Sequence, residues 1–304
     1  MIRVPVILGP TGVGKTSVSL GIARILRLEV LSCDSRQVYR FMDVGTAKPS
    51  PEQRAQAQHW LLDVVDPDQP YSAHQWATDA ERIIRERASQ GRRTMIVGGT
   101  GFYFDCLCRG LSQEIPFDPA VRDGYEQRLR QQGADSIFLE LAATDPVTAE
   151  RLAGRNVRRA VRALEIYRTT GKRVSELSRS TQPPHGIEFG VFILTMPRQA
   201  LYERINDRVD AMVGHGLWDE FQTLLSRGYG ADSPGLRCLG YQELFGVQSG
   251  SSTLSEAVAQ IKQNSRRYAK RQMTWFRHQC AGTWCDLSTS TPADIEAQIG
   301  EFLG

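Results

Sequence analysis

The stretch Gly9-Pro10-Thr11-Gly12-Val13-Gly14-Lys15-Thr16 constrains the fold of this chain more than any other. A short apolar run, Val4 to Leu8, leads into it, and Val18, Ile22, Ile25 and Leu26 follow on one face of a helix. Strand, glycine-rich turn and helix in that order make G-x-x-x-x-G-K-T more than a string match. Its glycines let successive backbone N–H groups converge on phosphate oxygens, and the helix N-terminus adds positive partial charge. Lys15 supplies a full charge for the anion, and the Thr16 hydroxyl is placed to ligate a Mg²⁺ bridging two phosphates. The motif therefore predicts a grip on a diphosphate-bearing molecule. What becomes of that molecule must be read elsewhere.

Further along, Leu28 to Cys33 predicts a second buried strand ending at Asp34-Ser35, and Asp43 to Pro51 a loop. His59 to Val65 predicts a strand closed by Asp66-Pro67, and Ala73 to Ser89 a helix capped by Ser72. Met95-Ile96-Val97 then runs into a second glycine turn, Gly98-Gly99-Thr100-Gly101. Strands alternating with helices predict an α/β fold with a mostly parallel sheet, whose ligands sit at the carboxyl ends of the strands. From Ile115-Pro116-Phe117-Asp118-Pro119 onward only helical periodicity appears: Val121 to Gln132, Asp135 to Ala143, Pro146 to Leu152 and Val157 to Thr170. Gln182-Pro183-Pro184-His185-Gly186 breaks the chain again, and Phe189 to Met196 returns to strand. The remainder reads as helical: Gln199 to Gly214, Leu217 to Arg227, Leu239 to Gln248 and Leu254 to Gln279. The expected organisation is a P-loop NTPase-like α/β core, residues 1–115 and 187–304, with an all-helical insertion at 116–186.

At 304 residues, with 41% hydrophobic and 23% charged residues, the chain has ample material for such a core. A net charge of +3 does not by itself argue for a polyanion partner; the distribution of charge must decide. Six scattered cysteines form no C-x-x-C pair, which argues against a zinc site or disulfide framework and fits a reducing compartment. With no signal-like start and no spanning apolar run, a cytoplasmic protein with no membrane contact is expected. The lack of a coiled-coil pattern or a long apolar face favours a monomer.

Asp34 ends the second strand, where a carboxylate can take a proton from an attacking group or can cap the next helix. Asp63 and Asp66 compete as metal-side carboxylates. Thr100 stands at a strand end, either pointing into the site or capping the next helix. Arg158 and Arg162 share a helical face while Val157, Val161 and Leu164 point toward a core. In the last long helix Lys262, Arg266 and Lys270 form one line, with Arg267 and Arg271 beside it and Ile261, Tyr268 and Trp275 opposite. No acidic residue lies between Glu256 and Asp286 to pair these charges, which points to phosphate or nucleic-acid contact. Two separated basic faces suit a structured RNA better than a free nucleotide.

At these residues the sequence resembles the tRNA dimethylallyltransferase family (tRNA isopentenyltransferases), over nearly its whole length. The resemblance rests on GPTGVGKT at 9–16, SCDSRQVYRFMDVGTAKP at 32–49 and GGTGFYF at 98–104. It continues through NVRRAVRALEIYRTTGK at 156–172, RVDAMVGHGLWDE at 208–220, LRCLGYQE at 236–243 and SRRYAKRQMTWFR at 265–277. One departure is Phe41, where the family usually has Gly. The resemblance implies transfer of a dimethylallyl group from dimethylallyl diphosphate to N6 of the adenine just 3′ of the tRNA anticodon (position 37). It implies a diphosphate held by Gly9, Pro10, Thr11, Gly12, Val13, Gly14, Lys15, Thr16 and Arg208, with Mg²⁺ on Thr16, and catalysis by Asp34, Thr100 and Lys15. Contacts to tRNA would come from Asp34, Ser35, Arg36, Gln37 and Thr100. Others would come from Arg122, Arg158, Arg159, Ala160, Val161 and Arg162 of the insertion, then from Arg237, Cys238, Gly240, Tyr241 and Gln242. Arg266, Arg267, Lys270 and Arg271 complete the expected RNA surface. A small-molecule P-loop kinase, a non-catalytic RNA-binding protein and an adenylate isopentenyltransferase are the competing readings. The helical insertion and basic last helix count against the kinase and the basic faces against the adenylate enzyme, while a non-catalytic RNA-binding protein is separated by whether Asp34→Ala abolishes turnover.

Overall fold

The apolar run before the glycine turn becomes β1 (Ile2–Leu8), in which every residue from Val4 onward is buried. A strand apolar on both sides needs cover on both sides, which is the environment of a central parallel strand. The computed structural model describes residues 1–109, 118–177 and 184–304. It divides into two compact units, Met1–Cys108 with Pro184–Gly304, and Arg109–Pro183. The proline-bearing breaks expected at 115–119 and 182–186 fall outside the described residues at 115–117 and 182–183.

In the larger unit, α1 (Lys15–Leu26) follows β1, then β2 (Leu28–Cys33), α2 (Pro51–Arg54), β3 (His59–Trp60), α3 (Ala73–Ser89), β4 (Arg93–Gly98) and α4 (Gly101–Arg109). All of β2 is buried. The α3 start is a capping box: Ser72 accepts from the Gln75 N–H while the Gln75 side chain reaches back. The smaller unit holds α5 (Pro119–Thr144), α6 (Pro146–Leu152) and α7 (Val157–Thr170). Within α5, Gly133 leaves helical geometry at φ 76°, so it behaves as the two helices expected on either side. Tyr125, Ile137, Leu141, Val161 and Leu164 form its core.

The larger unit resumes with β5 (Ile187–Thr195), α8 (Arg198–Gly214), α9 (Leu217–Ser226), α10 (Leu244–Gln248), α11 (Leu254–Gln279), β6 (Thr283–Asp286) and α12 (Pro292–Leu303). The sheet order is β3-β2-β4-β1-β5-β6 and every pairing is parallel. With β1 near the middle, Val6 faces Ile96 on one side and Val191 on the other. Alternation along β1 sends Ile7 into a core with Val18, Ile22, Leu194 and Ile299. Val4, Val6 and Leu8 join Trp76, Ile84, Phe104 and Phe276 in the opposite core. The glycine turn therefore leaves the centre of the sheet's carboxyl edge.

Four expectations need correction. The strand from His59 stops at Trp60, because Leu61 and Asp63 adopt left-handed φ of 63° and 55°, and only a bridge from Val65 to Tyr39 remains. The helix expected from Leu239 begins at Leu244, behind a turn with Gly240 at φ 96°. The chain beyond α11 is not all helix, since β6 adds an edge strand of four residues. Ile25 is 54% exposed and does not share the buried face of Val18 and Ile22.

Candidate functional site

The glycine turn shapes itself around its backbone. Gly12 and Gly14 sit at φ 82° and 103°, and a Cβ on Gly12 would lie 2.7 Å from Ile205 of α8. Gly14 caps α1 with no side-chain bond, so the first-turn N–H groups of that helix are left open, the usual basis of an anion site. Lys15 Nζ folds back and donates to the carbonyls of Gly9 and Pro10, both at 2.9 Å. From α8, Arg208 donates to the Thr11 hydroxyl at 3.2 Å and to the Thr46 carbonyl at 3.5 Å. Burial, and after it the nearby Arg208 charge, push the Lys15 ammonium down to about 8, with Asp34 partly opposing both. Burial lowers Arg208 as well, again against the pull of Asp34. Two desolvated cations beside one carboxylate leave an excess of positive charge, which a bound anion would relieve.

Thr16 is partly buried, and its hydroxyl makes no hydrogen bond among the described residues. Among those residues no group of three or more His, Cys, Asp or Glu could hold a metal. The donor set therefore fits a hard cation shared between Thr16, phosphate oxygens and water, and does not fit a protein-only cage.

Asp34 begins a turn directly after β2. Its Oδ1 accepts from the N–H groups of Arg36 at 2.8 Å and Gln37 at 3.4 Å, while Oδ2 has no hydrogen bond among the described residues. Turn-capping and a free basic oxygen thus coexist on one carboxylate. The Thr100 hydroxyl accepts from the Ser35 N–H at 3.0 Å, fastening the β4–α4 turn to the Asp34 turn. Asp63 and Asp66 are not metal-side carboxylates: Lys48 and Arg54 hold Asp63 at 2.6 and 2.8 Å, and Arg40 holds Asp66 at 3.0 Å.

The loop after the Asp34 turn is braced by residues the sequence reading missed. Glu220 of α9 accepts from the N–H groups of Asp43, Val44 and Gly45 at 2.7, 2.7 and 3.0 Å. It also accepts from the Tyr241 hydroxyl at 2.6 Å. Lys48 is fully enclosed and donates to the Tyr39 carbonyl, Asp43 and Asp63. Gln272 of α11 is a third such brace, accepting from the Thr11 N–H and donating to the Gly99 carbonyl. The loop bonds of Glu220 and both bonds of Gln272 reach across more than 170 residues, whereas Lys48 works within its own loop and the nearby Asp63.

The basic faces divide in two. Lys262 pairs with Asp210 of α8 at 2.6 Å, and Arg266 donates to Asn206 at 2.6 Å, so the acidic partner absent from α11 comes from its neighbour. Arg267, Lys270 and Arg271 are exposed and line a surface pocket with Thr274. In the smaller unit Arg158 and Arg159 are exposed, whereas Arg162 and Arg122 lie 2.7 and 3.5 Å from the buried Glu165. Ala160, Val161 and Tyr241 are at most 5% exposed, and Cys238 only 8%. Their side chains pack into cores, which leaves only backbone atoms at these four positions for the RNA contact expected of them. Arg237 and Gln242 are exposed, Arg237 beside Asp232 at 3.0 Å.

The sequence profile of the IPP transferase family matches residues 37–279, and that of isopentenyl transferases matches residues 2–69. The chain is 42% identical to the tRNA dimethylallyltransferase of Geobacillus thermodenitrificans, covering 99% of this chain and 95% of that protein. The Thermotoga maritima tRNA dimethylallyltransferase is 36% identical, with 99% and 98% covered. The crystal structure of the full-length tRNA isopentenylpyrophosphate transferase of Bacillus halodurans superposes with a TM-score of 0.73 at 37% identity, over 100% of this chain and 97% of that one. A eukaryotic dimethylallyltransferase captured acting on tRNA gives 0.78 at 26% identity, over 98% and 78%.

Proposed function

The chain belongs to the IPP transferase family, and from that premise we infer how it moves a dimethylallyl group from dimethylallyl diphosphate to N6 of a tRNA adenine. The observation that carries the reading is a phosphate-loop turn on the sheet's carboxyl edge in which Lys15 folds onto the loop carbonyls and Arg208 onto the Thr11 hydroxyl, both within the electrostatic reach of Asp34. The two depressed cations, with the open first-turn N–H groups of α1, form a cradle for a leaving diphosphate. As the allylic C–O bond breaks, its electron pair stays on the diphosphate, and the cradle stabilises that growing charge without reorganising. Magnesium bound at Thr16 would neutralise further charge on the same leaving group.

Adenine N6 is a weak nucleophile, because its lone pair is delocalised into the ring. As the new C–N bond forms, Asp34 Oδ2 takes the N6 proton, while Oδ1 stays tied to the turn. Thr100 acts at one remove, holding Ser35 and hence the carboxylate. The acceptor is the adenine just 3′ of the anticodon, which must leave its stack to reach such a site, at a cost of a few kcal/mol. Arg267, Lys270 and Arg271 of α11 offset that cost through phosphate contacts, as do Arg158 and Arg159 of the helical unit, which acts as an RNA-binding insertion.

Labelled dimethylallyl diphosphate incubated with tRNA and Mg²⁺, without ATP, tests this reading. Label recovered as N6-isopentenyladenosine is the expected result. No label in the RNA, or preferred transfer to free AMP, would overturn it.

A further inference from the structure

Gln272 lies within α11, only 7% exposed, and the chemistry above makes no use of it. Its carboxamide is committed to two backbone groups far away in sequence. Oε1 accepts from the Thr11 N–H at 2.9 Å, and Nε2 donates to the Gly99 carbonyl at 2.8 Å. Those bonds fix its orientation, because only the nitrogen can donate and only the oxygen can accept. The close approach requires glycine at position 99, where a Cβ would lie 2.6 Å from Nε2. That same Cβ would be 3.6 Å from Lys15 Nζ, so the amide sits beside the cation of the cradle.

The two backbone groups belong to opposite halves of the site. Thr11 is in the phosphate loop, and its hydroxyl takes the bond from Arg208. Gly99 precedes Thr100, which holds the Asp34 turn through Ser35. One side chain therefore spans the cradle and the acceptor turn, and it grows from the helix that carries Arg267, Lys270 and Arg271 on its exposed side. Two short bonds to backbone leave little slack, so a small movement of α11 shifts Thr11 and Gly99 together.

We propose that Gln272 is a positioning residue that couples RNA contact on α11 to the geometry of the diphosphate cradle, an inference that rests on the RNA-contact reading above. RNA bound along α11 then favours the arrangement of Thr11 that best receives diphosphate. By thermodynamic reciprocity, diphosphate must tighten RNA binding by the same factor.

Calorimetry of inorganic pyrophosphate with Mg²⁺ on the full chain, with and without a saturating anticodon stem-loop RNA, reads this coupling. The unaltered protein is expected to bind pyrophosphate at least about fivefold more tightly with RNA present. Gln272→Met keeps a similar volume without either hydrogen bond, and should reduce that ratio below about twofold while RNA affinity alone changes little. Should Gln272→Met fail to fold, Gln272→Glu serves: it still accepts from Thr11 but cannot donate to Gly99, and the ratio should fall likewise. A merely structural role would lower thermal stability and both separate affinities yet leave the ratio intact, overturning the proposal. So would the absence of coupling in the unaltered protein. Failure of that protein to bind the RNA at all would instead sink the RNA-contact reading, and this inference with it.

Discussion

The cations around the phosphate loop and those along the exposed sides of α11 and α7 carry the same charge under opposite conditions. Lys15 and Arg208 are partly buried, bonded to backbone or hydroxyl oxygens, and held below their ordinary pKa chiefly by burial. Arg267, Lys270, Arg271, Arg158 and Arg159 stand in solvent. The partly buried pair has given up part of its hydration before any ligand arrives, so a small anion placed there meets fixed charges in a setting of lower dielectric than bulk water. The exposed set keeps its hydration and suits a long polyanion, whose binding is driven by counterion release and weakened by salt. On the proposed reading, chemistry and recognition are carried by different basic residues in different dielectric surroundings. That division can be broken experimentally.

The largest effect is expected from the carboxylate that serves the partly buried pair. Asp34→Ala should lower single-turnover prenyl transfer by about 10²–10⁴-fold, the usual range for losing a positioned base. RNA affinity, followed by filter binding, should stay within about twofold, because the exposed set is untouched. Next, Lys15→Ala should cost about 3–4 kcal/mol of transition-state stabilisation, read from kcat/KM, again with RNA affinity retained. The sign of the pH effect follows from the same residue. Only protonated Lys15 favours the anion, and in the free chain it deprotonates around pH 8. Pyrophosphate affinity should therefore hold below pH 8, fall above it, and show proton uptake on binding near that pH in calorimetry. An affinity flat to pH 10 would show that Lys15 is not the group in contact.

Smaller effects sharpen the contrast. Glu220→Gln should lower the melting temperature and loosen the loop at 43–45, at about 1–3 kcal/mol, because an amide cannot replace a carboxylate that accepts four hydrogen bonds. Arg267→Ala should weaken RNA binding by about 1 kcal/mol and reduce the salt slope by roughly 0.7–0.9, leaving pyrophosphate affinity alone. Lys262→Ala, on the same helix but paired with Asp210, should do neither. If it weakens RNA binding as much as Arg267→Ala does, the division between inward and outward cations is wrong.

Much of this arrangement was legible in sequence because it is local. The phosphate loop, the buried run of β2, the Ser72 cap and the helical pieces of the smaller unit are each written in a few adjacent residues. What was not legible depends on distant partners or on backbone exceptions. Leu61 and Asp63 turn the chain out of a strand that apolar content alone would continue. β6 is too short to show a period, and pairs only because β5 lies beside it. The line of basic residues on α11 looked uniform until α8 placed Asp210 and Asn206 against two of them. Tyr241 sat in a block suggestive of RNA contact, yet its hydroxyl is buried against Glu220. The bracing roles of Gln272 and Glu220 could not be read locally, since both bonds of Gln272 and the three backbone bonds of Glu220 cross more than 170 residues.

The most direct test of the central claim is a crystal structure of the chain with pyrophosphate, Mg²⁺ and an anticodon stem-loop. Asp34 Oδ2 is expected within about 2.6–3.2 Å of the N6 atom of an extruded adenine, with Lys15 and Arg208 on the pyrophosphate oxygens. Asp34 turned away from the base, or pyrophosphate seated clear of Lys15, would contradict it.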